Sequence, residues 1–181
     1  MSVHGLALSS SHVFSKTPVP SLVLLSGLGV EGDCHNGVHV QHRSRLHIKP
    51  PPPNLRQVHL ISSEILDELD VRPGQLGENI TTTGLDLLSL GTGTKLHFVP
   101  EGGKDDADHP IIVLQGVRNP CPQVDKFRKG LRESFIVRDA DRNIIGRRAG
   151  VMCTVERGGV VTLGMAIRAE NTEPFKPLVC V

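Results

Sequence analysis

Apolar residues gather in short blocks between turn-forming residues, and few of them recur at helical spacing. SLVLLS (21–26), RQVHLIS (56–62), TKLHFV (94–99), PIIVLQG (110–116) and AGVMCTVERGGVVTLGMAI (149–167) are rich in Leu, Val and Ile. Blocks of this kind predict strands. The last is long enough for two strands. Gly158-Gly159 inside it predicts a hairpin turn, because paired glycines accept the positive φ such turns need.

Only two segments carry a helical face. SSEILDELD (62–70) aligns Ile65, Leu66 and Leu69, with Ser62 or Ser63 as cap and Glu64 near the positive end of the dipole. PQVDKFRKGL (122–131) aligns Val124, Phe127 and Leu131, with Pro122 as first helical residue. Many strands and few helices predict a mostly-β, barrel-like fold of mixed strands with a few short α-helices, not a doubly wound α/β sheet. The 181 residues suit a single domain spanning 1–181. HVQHRSRLHIKPPPPN (39–54), basic and ending in four prolines, and PEGGKDDADHP (100–110), acidic and glycine-containing, read as exposed loops.

Composition narrows the function classes. Aromatic residues are 3% of the chain and all are Phe, so the core is aliphatic and platforms for base stacking are not expected. A net charge of +1 gives no reason to expect nucleic acid or a membrane surface as partner. No stretch approaches the ~20 apolar residues that span a bilayer, and MSVHGLALSSSHVFSK lacks the regions of a signal peptide. Cys34, Cys121, Cys153 and Cys180 form no C-x-x-C pair. They read as free thiols in a reducing compartment, and a cytoplasmic location is expected.

Gly27, Gly29 and Gly32 spell G-x-G-x-x-G directly after an apolar block. A dinucleotide site needs a helix at the third glycine and an acidic residue ~20 positions on. Here a polyproline run follows, and no Asp or Glu occurs between Asp33 and Glu64. The pattern therefore predicts a strand-to-loop turn that lets backbone approach a ligand and projects Asp33 and His35. His35, His39, His42 and His47 invite a metal reading, but their spacing fits no zinc template and Cys34 has no partner cysteine at two to four residues. They read as loop histidines.

LQGVRNPCPQVDKFRKGL (114–131) is the most informative stretch. Cys121 stands between two prolines, where a strand ends and the second helix begins, so it is the expected N-cap. A helix dipole and Arg118 would favour its thiolate. Residues 118–148 hold nine Lys and Arg against four Asp and Glu. Thiolate ligates soft metals and carries transferable sulfur. The competing reading is a small buried residue between prolines. Cys153 reads as a structural strand residue, Cys180 as part of the tail. Glu78-Asn79 is read first as a turn with self-satisfied side chains, and second as a carboxylate and amide offered to a ligand.

HVFSKTPV, GVEGDCHNG, RQVHLISSEILDEL, PGQLGENITTTGLDLLSLGTGTKL, GVRNPCPQVDKF and AGVMCTVERGG, in that order, resemble successive blocks of the MOSC domain, the C-terminal domain of molybdenum cofactor sulfurases, in its stand-alone form. The resemblance runs over about residues 6–165. It implies a MOSC, or pyruvate-kinase-like, β-barrel that binds a molybdopterin-type molybdenum cofactor or handles sulfur. Cys121 is then the molybdenum ligand and catalytic residue, or a persulfide carrier. Lys16, Arg56 and Arg118 would balance the negative pterin phosphate and dithiolene, as would the Gly29–Gly32 backbone. His35, His59, Glu78, Asn79 and Asn119 are further candidates for the cofactor or substrate pocket.

The implied activity is reduction of N-hydroxylated compounds, hydroxylaminopurines among them, with electrons from a separate donor protein. The alternative is a sulfur-carrier or cofactor-binding module with a persulfide on Cys121, a sulfur donor or acceptor as partner, and no turnover. Against the family pattern, Cys34 stands where a small or basic residue is usual, and the 39–54 and 100–110 segments are longer than usual. No room is left for a pyridoxal-phosphate desulfurase domain, and no cysteine spacing suits a ferredoxin domain.

Overall fold

The computed structural model describes residues 1–41, 47–103 and 108–181. In chain order its strands are β1 (Ser2–Leu8), β2 (Thr17–Pro18), β3 (Ser21–Leu25), β4 (Gly29–Val30), β5 (Val58–Ser62), β6 (Ile80–Thr83), β7 (Lys95–Val99), β8 (Ile111–Val117), β9 (Ile136–Arg138), β10 (Ile144–Arg147), β11 (Val151–Arg157), β12 (Gly159–Thr162) and β13 (Ala166–Glu170). Two short helices, α1 (Ser63–Glu68) and α2 (Gln123–Phe127), accompany them. Among the described residues, no helix is long and apolar enough to cross a membrane.

Seven strands close into a barrel in the order β13-β7-β8-β11-β5-β6-β1, and β1 returns to β13 through Ser2 opposite Ala166. All these pairings are antiparallel except β5–β6. A parallel pair needs a crossover, and α1 with the loop after it supplies one. The mostly-β, mixed-strand barrel with few helices is therefore as expected.

Alternation along the strands decides what faces the site. In β5, Val58 and Leu60 point into the barrel core, whereas Ile61 joins a second apolar cluster outside it. His59 shares the outer side with Ile61, as a period of two requires. In β11, Val151, Cys153 and Val155 are core residues, and Met152 faces out. The second cluster gathers Ile61, Leu66, Val71, Leu76, Val124, Leu131, Phe135 and Ala149, with Phe14, Ile65, Leu69 and Cys121 packed on it. Two layers thus bury both faces of β5, which is why all five of its residues are buried.

Three expectations are corrected. Gly158-Gly159 is not a hairpin turn. β11 pairs β8 on one edge; its other edge is taken by β5 over Val151–Cys153 and then by Gln57 Oε1 and the Gly27 amide, which bond the Val155 amide and carbonyl, so β12 pairs instead with β3, from Gly159–Leu24 to Thr162–Ser21. The turn in this stretch comes later, at Gly164 (φ +80°), between β12 and β13.

The second helix is also shorter than 122–131. Arg128 is already extended (φ −150°, ψ 118°). Its guanidinium bonds the Leu69 and Asp70 carbonyls, while Asp125 Oδ1 accepts from the Arg132 amide at 2.9 Å. These side-chain bonds to backbone compete with continued helix. Val124 and Leu131 still reach the core, but Phe127 is left exposed.

Cys121 is consequently not the N-cap, a position held by Pro122. At α1, Ser62 holds the N-cap position without a side-chain capping bond, and Glu64 accepts instead from the Gly84 amide at 2.7 Å.

The described parts of 39–54 and 100–110 contain no helix or strand. His42, with the rest of 42–46, and residues 104–107 lie outside the described residues. Cys153 is sealed in the barrel, where burial pushes its thiol far up. Cys180 is exposed near the C-terminus.

Candidate functional site

The outward residues of β5 and β11 form the floor of a groove whose walls are four segments, 12–16, 33–37, 74–79 and 118–123. Its inner cavity, of about 350 Å³ including space open to solvent, is lined by Lys16, His35, Arg56, His59, Gly77, Asn79, Arg118 and Met152. Its outer cavity, of about 530 Å³, adds His12, Val13, Phe14, Cys121 and Gln123. Lys16, His35, Gly77 and Arg118 belong to both, so the two adjoin.

The turn through Gly27, Gly29 and Gly32 has positive φ at all three glycines. A Cβ on Gly29 would lie 2.9 Å from the Gln57 carbonyl oxygen. No helix starts at Gly32, and the next among the described residues is α1 from Ser63, so the dinucleotide pattern fails structurally. The turn instead delivers Asp33, with His35 beside it. Asp33 is buried, and its carboxylate gathers the site. It takes the Lys16 ammonium at 2.5 Å, the Asn79 amide at 3.0 Å, the Ser9 amide at 3.3 Å and the His35 backbone amide at 3.0 Å. Burial opposes its charge, but the bonds from His35 and Lys16 outweigh that and hold it well below the ordinary carboxylate range. Burial lowers the Lys16 ammonium, against the pull of Asp33.

Arg118 is anchored at both ends. Its backbone amide donates to the Gly150 carbonyl at 2.9 Å, and Nη1 donates to the Leu76 carbonyl at 2.7 Å. Burial lowers its pKa, opposed by the adjoining Cys121 and then by Glu78. Cys121 is half-buried, packed on the second cluster and open to the outer cavity.

His59 donates from Nε2 to the Ala149 carbonyl at 2.9 Å. Burial and Arg118 keep it well below its usual pKa. The ring is therefore neutral near pH 7, with its unprotonated nitrogen at Nδ1. Gly150 (φ +91°) must be glycine, since a Cβ would strike the Leu60 carbonyl and lie 2.7 Å from His59 Nε2.

Two sequence candidates turn away from the groove. Glu78 is fully buried, and its carboxylate accepts from the amides of Gly74 and Leu76 and from the Thr81 hydroxyl. It fixes the loop that carries Gly77 and the Leu76 carbonyl. Burial raises its pKa against those amide bonds. Asn119 is exposed and accepts from Arg147 Nε at 3.0 Å. Lys16, His35, Arg56, His59, Asn79, Arg118 and Cys121 are brought together.

Sequence reasoning missed His12, Phe14, Gly77, Gln123 and Met152 as lining residues. For His12 and Phe14 the signal present was their block HVFSKTPV. For Met152 it was the alternation of β11. A thiol beside one guanidinium, with the second guanidinium of Arg56 in the same groove, suits an anionic ligand that carries a soft metal.

The MOSC domain family model matches residues 43–168. The fold is similar to that of the YuaD protein from Bacillus subtilis, at 24% identity and a TM-score of 0.72 over 95% of this chain and 96% of that one. It is also similar to YiiM from Escherichia coli (17% identity, TM-score 0.56, 95% of this chain and 71% of that) and to YiiM from Geobacillus stearothermophilus (14%, 0.59, 98% and 76%). At these identities the likeness carries the barrel alone. No curated protein matches the chain significantly.

Proposed function

Because this chain belongs to the MOSC domain family, a family associated with molybdenum cofactor binding, we propose that its groove binds a molybdopterin-type cofactor with Cys121 as molybdenum ligand. We further propose that the loaded protein reduces N-hydroxylated small molecules with electrons from a separate donor protein. The observation carrying this reading is that Cys121 adjoins Arg118 in a groove whose walls also present Lys16 and Arg56.

Each residue has a chemical task. The Cys121 sulfur is the soft donor. Arg118 and Arg56 offer planar forks to phosphate oxygens, and Lys16, its charge balanced by Asp33, offers the remaining hydrogens of its ammonium. Asn79 offers hydrogen-bonding capacity at the inner end, and neutral His59 adds none of the positive charge that would repel the arginines. Gly77 keeps the wall thin, so that ligand can pass close to backbone. The bound cofactor supplies two-electron redox chemistry. Overall, the N–O bond of the substrate breaks, two electrons and two protons are consumed, and an amine and water leave. The outer cavity, open to solvent beside Cys121, is where substrate enters and where protons arrive.

The test is elemental analysis for molybdenum on wild type and Cys121→Ser, both purified from a host that makes the cofactor, paired with a reductase assay using a chemical electron donor. The wild type is expected to carry molybdenum and pterin and to turn over, and the variant to lose both metal and activity. Wild type without molybdenum or pterin, with Cys121 intact and reduced, would overturn the reading. A one-sulfur mass gain on Cys121 without reductase activity would replace it with the sulfur-carrier alternative.

A further inference from the structure

We propose that His12, Cys34 and His35 form a second metal site, a three-ligand site for zinc(II) at the mouth of the groove, separate from the Cys121 position. One donor atom from each of the three residues lies within 4.8 Å of the others. The ligands come from two segments that the fold brings together: the loop after β1 carries His12, and the turn after β4 carries Cys34 and His35.

The geometry needs little closure. Around a tetrahedral zinc with bonds of about 2.3 Å to sulfur and 2.0–2.1 Å to nitrogen, donors stand roughly 3.3–3.6 Å apart. Cys34 Sγ and His35 Nδ1 are already 3.2 Å apart, and a metal bound at Nδ1 would replace that nitrogen's 3.3 Å contact with the Asp33 carboxylate, the ring proton moving to Nε2.

Neighbours also hold the three residues in place. His12 Nε2 donates to the Gln41 carbonyl at 2.9 Å. A carbonyl only accepts, so the proton sits on Nε2 and the lone pair is left on Nδ1. This outer bond is the one that orients metal-bound histidines. Cys34 and His35 sit on a fixed base. The Cys34 amide donates to the Ser9 carbonyl at 2.8 Å, and the His35 amide to the buried Asp33 carboxylate at 3.0 Å. Exposed His12 and half-buried Cys34 and His35 leave a fourth position for water or a ligand. His12 and His35 line the same outer cavity as Cys121, so an ion there would face whatever enters the groove. Burial and the Asp33 charge raise the Cys34 thiol's pKa, so a metal binds by displacing its proton to solvent; one thiolate and two neutral imidazoles then suit zinc or cobalt and not magnesium or calcium, which take oxygen ligands.

The test uses the full chain, dialysed free of divalent metal and titrated with cobalt(II) chloride, then with zinc chloride in competition. The wild type is expected to show one saturable cobalt site with a sulfur-to-cobalt charge-transfer band, displaced by zinc. Cys34→Ser should lose the band, and His12→Ala, at an exposed position, should weaken binding at least about tenfold. Cys121→Ser should keep both band and affinity, which separates this site from the cofactor reading. No saturable cobalt binding by wild type, a band that survives Cys34→Ser, or a band lost in Cys121→Ser would each overturn the proposal.

Discussion

Asp33 Oδ2 lies 2.5 Å from Lys16 Nζ, with side-chain exposures of 0% and 3%, so a complete ion pair is buried under the groove. The two ends are not equivalent. Asp33 also holds Asn79, Ser9 and His35, whereas no other hydrogen-bond partner of the Lys16 ammonium is seen among the described residues. Removing one member of a buried pair leaves the other uncompensated, at about 3–5 kcal/mol. Asp33→Ala strands the ammonium and frees three further donors. Lys16→Met leaves a carboxylate that still has three partners. Urea unfolding should show a loss of about 3–5 kcal/mol for Asp33→Ala and a clearly smaller loss for Lys16→Met. Equal losses would mean that Asp33 is not the hub of the site.

Gly77 tests how the groove wall is built. Its φ of +79° disfavours any side chain, and a Cβ would lie 2.5 Å from the Phe14 carbonyl oxygen. Gly77→Ala should therefore cost at least about 1–2 kcal/mol through backbone strain alone. It should also push apart the 12–16 and 74–79 loops that frame both cavities. Thermal unfolding reads the first effect, and ligand-protected proteolysis of the 12–16 loop reads the second. An unchanged melting temperature would show that the loops yield freely and that the close approach has no structural role.

How far the residues alone revealed this arrangement depends on the range of the interactions. The barrel was readable because each strand carries its own short block of Leu, Val and Ile, bounded by turns. Strand order was not. The Gly158-Gly159 hairpin looked correct locally and failed because distant segments (β8, β5, Gln57 and Gly27) already occupy both edges of β11, a fact no window of sequence contains. The same holds for Phe127, whose helical face is cut short by the bonds of Arg128 and Asp125 to distant backbone. Cys121 stood out because prolines flank it and a basic segment follows. For Glu78 the turn reading, placed ahead of the ligand reading, matches the structure. Its neighbours gave turn chemistry, and the structure shows that chemistry satisfied internally. His12 was invisible as a partner of Cys34 because loop-to-loop contact has no period.

His59 provides a pH prediction whose sign follows from its surroundings. Burial, then the Arg118 charge, depress its pKa well below 6.5 in the folded chain. The folded protein therefore resists protonation at a pH where the unfolded chain accepts it. Between the depressed value and 6.5 the unfolded state binds more protons, so stability rises with pH there. The stabilisation is complete above about 6.5, the unfolded value, and is lost as pH falls from there toward the folded value. A single proton contributes a slope of at most about 1.4 kcal/mol per pH unit. His59→Gln keeps an N–H for the Ala149 carbonyl but does not titrate. Urea unfolding from about pH 7.5 down to pH 5 should show wild type losing stability more steeply than His59→Gln, with the curves diverging only below about pH 6.5. Parallel curves across that range would mean that the imidazole is protonated as easily in the fold as outside it, and that the neutral ring assigned to the groove floor is wrong.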